Sequence, residues 1–335
     1  MRNVQRVVTV TLNTAIDRVL EAPGLAIGEH LKVKQVSRQP AGKAINVSRA
    51  LAILGGDSIA TGLVGRDELD MFEAELHQAG PGRVICQLLT VRGATRENIT
   101  IIDPQAHVDL HLRDEGFAVT EQDVRRMRTK IDLLARPDAL VIFSGSLPRG
   151  LSAEAFGGMV IAALRASAKV VLDVEGALLR KTLSTMSALS TADAPMPRLW
   201  MVKPNRQELE QAFDEDELND ASAVMAAARR LGKQAHWVAL SLGPEGAWLV
   251  GDQGVWRGEV ELAEREVANT VGCGDCLLAG LLWGQMQGYH PARVLREGLA
   301  AAAANAMQSG VACFNSDQIT PIRDRASIRE VDLSA

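Results

Sequence analysis

Cysteine is scarce in this chain: four in 335 residues, with Cys86 and Cys313 far from the pair at 273 and 276. That number and spacing exclude a disulfide framework. Cationic excess is missing too. The formal net charge is −5 and no Lys/Arg cluster stands against it, which argues against nucleic acid as a partner. No run of 18 uninterrupted apolar residues occurs, and MRNVQRVVTVTL enters a strand-like pattern without a secretory core. These absences predict a cytoplasmic protein that binds neither nucleic acid nor membrane. Two nucleotide signatures are also absent. Neither G-x-G-x-x-G nor G-x-x-x-x-G-K-[ST] is found, which removes the usual grounds for a dinucleotide-dependent oxidoreductase or a P-loop kinase.

What is present is alternation. VVTVTL (7–12), SIATGLVG (58–65), ALVIFSGS (139–146), KVVLDV (169–174), LWMVKPN (199–205) and HWVALSLG (236–243) read as buried strands. Between them lie helical periods such as TEQDVRRMRTKIDLLA (120–135). There Val124, Met127, Ile131 and Leu134 form one stripe, and Thr120 with Asp123 resembles a capping box. The pattern predicts an α/β fold, a parallel sheet covered by helices on both faces, with ligands at the carboxyl ends of its strands. Two segments break the alternation. Residues 14–40 hold no good helix, and in 95–116 Val108, Leu110 and Leu112 alternate with Asp109, His111 and Arg113, as in a hairpin. A hairpin with one apolar face needs a cover. The two segments are expected to form a small β-lid over the open end of the sheet, with a second subunit as the candidate cover. His107 and His111 lack a third metal ligand and are expected to be exposed lid residues.

NTVGCGDC (269–276) carries two incompatible patterns. Cys273-x-x-Cys276 would suit zinc or redox chemistry, but no second Cys pair or Cys/His cluster completes a site. Gly272-x-Gly274-Asp275 before LLAGLLW is a helix start whose unpaired amides and dipole favour an anion. A carboxylate beside such an anion hole suits transfer of a phosphoryl group to an alcohol: the amides take the phosphoryl charge, the carboxylate the hydroxyl proton. The same octapeptide equally describes a turn followed by an ordinary cap. A thiol at a helix N-terminus is expected to have a lowered pKa, so that oxidation of Cys273 would block the site.

Three further stretches are ambiguous one by one. In QPAGKAINVSRALAILGG (39–56), Lys43 and Asn46 sit a turn apart at a helix start, able to face a phosphate and a sugar hydroxyl, or only solvent. In TLNTAID (11–17), Asn13 and Asp17 follow a strand, where a carboxylate can hold vicinal hydroxyls or close a turn. In VKPNRQELE (202–210), Asn205 and Glu208 put two oxygen side chains at a strand's end, enough to order a hydrated Mg²⁺ or simply to cap a helix.

Together, and in this order, these stretches resemble the ribokinase-like (pfkB) carbohydrate kinases over essentially the whole chain. AGKAINVS followed by Gly55 and Gly65 is similar to the family's first signature, and NTVGCGDCLLAGLL to its second; ATRENITI, SGSLPRG and VKPNRQELE lie between them. TLNTAID, AGKAIN, GATRENITI and GFAVT look most like the group containing 1-phosphofructokinase and tagatose-6-phosphate kinase. The resemblance implies a ribokinase-like α/β fold, with a mostly parallel central sheet, a β-lid, and residues 1–335 forming one kinase domain. It implies Mg²⁺, ATP as co-substrate, and a homodimer joined through the lid. Transfer to fructose 1-phosphate would give fructose 1,6-bisphosphate; tagatose 6-phosphate or fructose 6-phosphate are alternatives, as is a silent sugar-phosphate-binding protein.

By the same resemblance Asp275 is the base, and Gly272, Cys273 and Gly274 form the anion hole. Asp17, Gly42, Asn46 and Arg96 would hold the sugar phosphate, with Lys43 and Arg96 on its existing phosphate and Ser146 nearby. Lys203, Ser241 and Gly243 would line the nucleotide's phosphates, Asn205 and Glu208 order Mg²⁺, and Asn305 sit near the adenine. Thr14, Ala44, Cys273 and Cys276 depart from the family's usual Pro, Gly, Ala and Ser. Ala44 is expected to add a methyl where the sugar phosphate docks, and Cys273 bulk beside the anion hole.

Overall fold

The computed structural model describes residues 6–26, 28–106, 108–191, 193–213, 218 and 220–331; His107 lies outside the described residues. In chain order the elements begin with β1 (Arg6–Thr11), β2 (Ala15–Glu21), β3 (Lys34–Ala41), α1 (Lys43–Ile53), β4 (Ser58–Gly65) and α2 (Leu69–Ala79). There follow β5 (Val84–Val91), β6 (Arg96–Asp103), β7 (Val108–Arg113), α3 (Glu121–Leu134), β8 (Ala139–Ser144), α4 (Ala153–Arg165) and β9 (Lys169–Asp173). Next come α5 (Gly176–Leu189), β10 (Leu199–Val202), α6 (Arg206–Phe213), α7 (Ala221–Gly232), β11 (Ala235–Ser241), β12 (Ala247–Gly251) and β13 (Gly254–Val260). The chain closes with α8 (Cys273–Met286), α9 (Pro291–Ala306), α10 (Ser316–Arg325) and β14 (Ala326–Glu330).

Successive side chains of a strand point to opposite faces, so an unbroken apolar run needs cover on both sides. Val8, Val10, Val141 and Phe143 face a core completed by α3, α4, α5 and α7. Val7, Leu140 and Ile142 face a second core built with α1, α8, α9 and α10. The helices are stopped and started by local chemistry. Thr120 and Asp123 exchange side chain-to-backbone bonds as a capping box, and Met127, Ile131 and Leu134 are buried on the stripe that follows.

The main sheet has ten strands in the order β14-β13-β12-β11-β10-β9-β8-β1-β4-β5. From β5 to β11 every pairing is parallel, and from β11 to β14 every pairing is antiparallel. The sheet is therefore mostly parallel, as expected. The antiparallel pairing of β11, β12 and β13 follows from short connections, because turns 242–246 and 252–253 leave no room for a crossover helix, whereas β14 reaches the edge only after α8, α9 and α10.

The two segments that broke the alternation pair with each other. They form a separate four-stranded sheet, β3-β2-β6-β7, in which two hairpins join through a parallel β2–β6 seam. One hairpin leaves the main sheet after β1 and returns into α1; the other lies between β5 and α3. Ile16 and Leu20 are buried on this lid, whereas Val36, Ile102, Val108, Leu110 and Leu112 are exposed. Among the described residues no helix is long and apolar enough to cross a membrane.

Candidate active site

The parallel strands end on one side, and their last residues are polar. Ser144 closes β8, Asp173 closes β9, Lys203 follows β10 and Ser241 closes β11. Asp173 has no exposed surface. It accepts a bond from Ser144 Oγ at 2.9 Å and pairs with Lys203 Nζ at 3.0 Å and Lys43 Nζ at 3.5 Å. Lys43 opens α1 and also stands 3.5 Å from Glu208. One turn along α1, Asn46 donates to Asp275 Oδ2 at 2.8 Å. Asp275 lies in the first turn of α8 and is buried.

Burial raises the pKa of Asp275, and the charge of Asp173 raises it further; Asn46, Lys43 and Lys203 pull the other way, leaving it at about 7. Burial acts upward on Asp173 too, but Lys203 and Lys43 outweigh it and hold that carboxyl below the usual range. Two like groups are thus pushed apart, one kept ionised and one able to take up a proton near neutrality. Partial burial works against the charge on Lys43, yet Asp173, Glu208 and Asp275 more than offset it and raise its pKa.

Before Asp275 the backbone makes a left-handed turn at Gly272, with φ 78°. A Cβ there would lie 2.2 Å from Val311 Cγ1, so only glycine fits. At Gly274 a Cβ would approach Lys203 Nζ to 3.3 Å, so its absence keeps the lysine close to the helix start. This is the geometry of an anion hole with a cation and a carboxylate beside it. All four cysteines are free of disulfides, and among the described residues no group of three His, Cys, Asp or Glu side chains is placed to hold a metal ion. The expected low thiol pKa is corrected. Burial raises the pKa of Cys273 and Asp275 adds to that, against a bond from Asn305.

The lid supplies a second polar group. Asp17 on β2 accepts a bond from Asn98 Nδ2 at 2.8 Å, and burial raises its pKa despite Asn98 and Arg96. Arg96 opens β6 in register with Ala15, and its Nε is buried without a partner. Asn13 donates to Ser146 Oγ and to Leu147 O, both at 3.2 Å. The amide oxygens of Asn13, Asn46 and Asn98 are likewise buried and unbonded. These orphaned polar atoms are free to bond a polar ligand. Gly42, at φ 136°, caps α1, where a Cβ would press to 2.8 Å from Thr11 Cγ2. Ala44 is fully enclosed, so its methyl does not enter the cleft; this corrects the expectation of a clash there.

Asn205 and Glu208 form a reciprocal cap: each side chain accepts the other's backbone N–H, at 2.8 and 2.9 Å. Glu208 keeps Oε1 off the cap, facing Lys43. Ser241 bridges to Asn205, and Gly243 follows at φ 61°. Asn305 sits apart from this row. Its side chain is fully enclosed and its amide is bonded inside the protein, so it does not reach out to a base.

Residues 5–317 match the family described as pfkB family carbohydrate kinase. The chain belongs to that family. Its relatives include a 1-phosphofructokinase of Vibrio cholerae, 30% identical over 97% of this chain and 96% of the relative. Another is a 1-phosphofructokinase of Escherichia coli K12, 33% identical over 97% of this chain and 98% of the relative. Among solved structures, phosphofructokinase-2 from Escherichia coli in complex with potassium superposes with a TM-score of 0.84. It is 24% identical and covers 95% of this chain and 98% of its own, so the ribokinase-like fold is shared.

In this pfkB kinase, four stretches far apart in sequence meet at the strand ends. Ser144 and Asp173, beside Lys43 and Lys203, and Asn98, beside Asp17, escaped the sequence reading. Asp173 sits in KVVLDV, which reads as an apolar strand; the signal was a lone charge at that strand's carboxyl end. Asn98 shares a strand face with Arg96, two residues away, which was a readable signal.

Proposed function

We propose that this enzyme transfers the γ-phosphoryl group of Mg·ATP to a hydroxyl of a ketohexose phosphate. Fructose 1-phosphate giving fructose 1,6-bisphosphate is the preferred pair. The observation that carries the proposal is a buried carboxyl with a pKa of about 7, bonded to Asn46, in the first turn of a helix whose start is an anion hole. Arg96, half-buried with its Nε enclosed and unpaired near Asp17, supports an acceptor that already bears a phosphate. The 1-phosphofructokinase relatives point to the same sugar.

In this mechanism the acceptor hydroxyl oxygen attacks the γ-phosphorus in line. Its proton passes to Asp275, the bond from phosphorus to the bridging oxygen breaks, and ADP leaves with that electron pair. The amides of Gly272 and Gly274 receive the charge on the transferring oxygens, and that of Cys273, turned to Thr270 O at 3.4 Å, joins them only by giving up that long bond. Lys203 and Lys43, held by Asp173, stand beside that group, while Ser241 and Gly243 line the rest of the nucleotide's phosphates. Asp17, Gly42, Asn46, Arg96 and Ser146 hold the sugar phosphate. Lys43 lies nearest Asp173 and Glu208, which favours contact with the phosphoryl in transfer over the phosphate already on the sugar. Glu208 and Asn205 suit a Mg²⁺ ion held through its own waters, and the ion would neutralise charge on the nucleotide. We further propose that the whole chain is one catalytic unit, working as a dimer covered at the lid.

The test is ADP release with Mg·ATP against fructose 1-phosphate, fructose 6-phosphate, tagatose 6-phosphate and free fructose, with Asp275→Asn beside the wild type. Turnover of one phosphosugar, reduced by about 10²–10⁴ in the variant, is the expected result. Turnover of free fructose alone would remove the role given to Arg96. Binding of a phosphosugar without turnover would favour a silent sensor.

A further inference from the structure

We infer that Asn305 is a positioning residue that fixes the direction of the anion hole's first amide. The inference rests on the kinase reading for its meaning, but its geometry stands alone. Asn305 lies in the last turn of α9 with no exposed surface. Its Nδ2 donates to Val271 O at 2.9 Å and lies 3.4 Å from Cys273 Sγ. Its Oδ1 accepts the N–H of Ala312 at 2.7 Å. One amide therefore ties together the loop before α8 and the loop after α9.

The bond to Val271 O matters because of the planar trans peptide. The C=O of residue 271 and the N–H of Gly272 belong to one plane and point in opposite directions. Pinning the carbonyl on Asn305 aims the Gly272 N–H the other way, to the phosphoryl side. Glycine at φ 78° tolerates either orientation of that plane, so the local sequence alone does not select one. A flipped plane would turn a carbonyl oxygen toward the transferring phosphoryl, replacing an attraction with a repulsion.

The surroundings strengthen the lock. Ala306 O accepts the N–H of Ala268 at 2.8 Å and of Asn269 at 3.1 Å. Val311 packs where a Cβ of residue 272 would be. Ala312 holds a left-handed φ of 48°, a strained conformation for a non-glycine residue, and Asn305 bonds its N–H. Donors fixed before the reaction need no reorganisation during it, which is where such holes derive their effect.

The test uses the full chain with Asn305→Ala and Asn305→Asp. The aspartate is nearly isosteric and keeps the acceptor for Ala312, but its carboxylate cannot donate to Val271 O. We expect kcat to fall by about 10²-fold in both variants, with KM for both substrates within about threefold. A role confined to the Ala312 turn predicts instead that Asn305→Asp matches the wild type, and that result overturns the inference. Should Asn305→Ala not fold, the aspartate variant carries the test.

A readout without substrate separates this inference from the kinase reading. Amide hydrogen exchange at Ala268, Asn269 and Cys276, all bonded in the structure, should quicken by about tenfold or more in Asn305→Asp, while Ala312 stays protected. Unchanged exchange at the first three sites overturns the anchoring. If the wild type turns over no phosphosugar, the kinase reading falls and the exchange result alone decides.

Discussion

At pH 8 Asp275 carries its charge against burial and against Asp173. Its pKa in the fold, about 7, exceeds the ordinary 3.8, so the folded protein holds a proton that the unfolded chain releases. Stability from this group is full below about pH 4 and is lost as pH rises toward 7. Asp275→Asn should therefore raise Tm at pH 8 and change it little at pH 4, as followed by scanning calorimetry. Equal melting at pH 8 would mean that burial is not the dominant influence. Activity follows the same proton: kcat/KM should climb with pH through an acid limb near 7. Removing the neighbouring charge in Asp173→Asn should shift that limb to lower pH, because one cause of the raised value is gone. A limb that stays in place would locate the perturbation elsewhere. None of this electrostatics was readable from the chain. Asp275 announces itself directly after Gly272-x-Gly274, whereas Asp173 acquires its surroundings only when β8, β9, β10 and α1 converge on it.

The left-handed turn that starts α8 belongs to the element, not to one side chain. Gly272→Ala should combine backbone strain of about 1–2 kcal/mol with a collision against Val311. Gly288, at φ 70° with open space around it, gives the control, since Gly288→Ala meets only the strain. Urea denaturation should show the first variant clearly less stable than the second; equal losses would discount the packing of Val311. At this scale the sequence was a good guide where periodicity is long or motifs are dense. β1, β4, β8, β9, β11 and α3 with its cap lie within a residue or two of their expected spans, because apolar runs and caps are local signals; β10 stops three residues early, before Lys203, and β5 was not anticipated. The lid was legible as two irregular segments, and its single sheet became visible only through the long-range β2–β6 seam. β14 was not legible at all: ASIRE exposes Ser327, Arg329 and Glu330 and has little apolar alternation.

On the scale of the molecule β7 presents Val108, Leu110 and Leu112 to solvent on one face of the lid, a row that suits cover by a second copy. Placing Glu at both 110 and 112 should leave a monomer by sedimentation equilibrium, with the main sheet's stability unchanged. A wild type already monomeric would end the dimer proposal. The strand order has a separate consequence, for synthesis. β1 is made first yet sits in the interior of the main sheet, between β4 and β8, where Arg6 pairs with Ala139. At ribosomal speeds of about 5–20 residues per second, RVVTVT waits roughly 7–27 s for that second neighbour. Through that interval one edge of an apolar, β-branched strand is open. The nascent chain, more than the finished enzyme, is where this strand is open to wrong pairing.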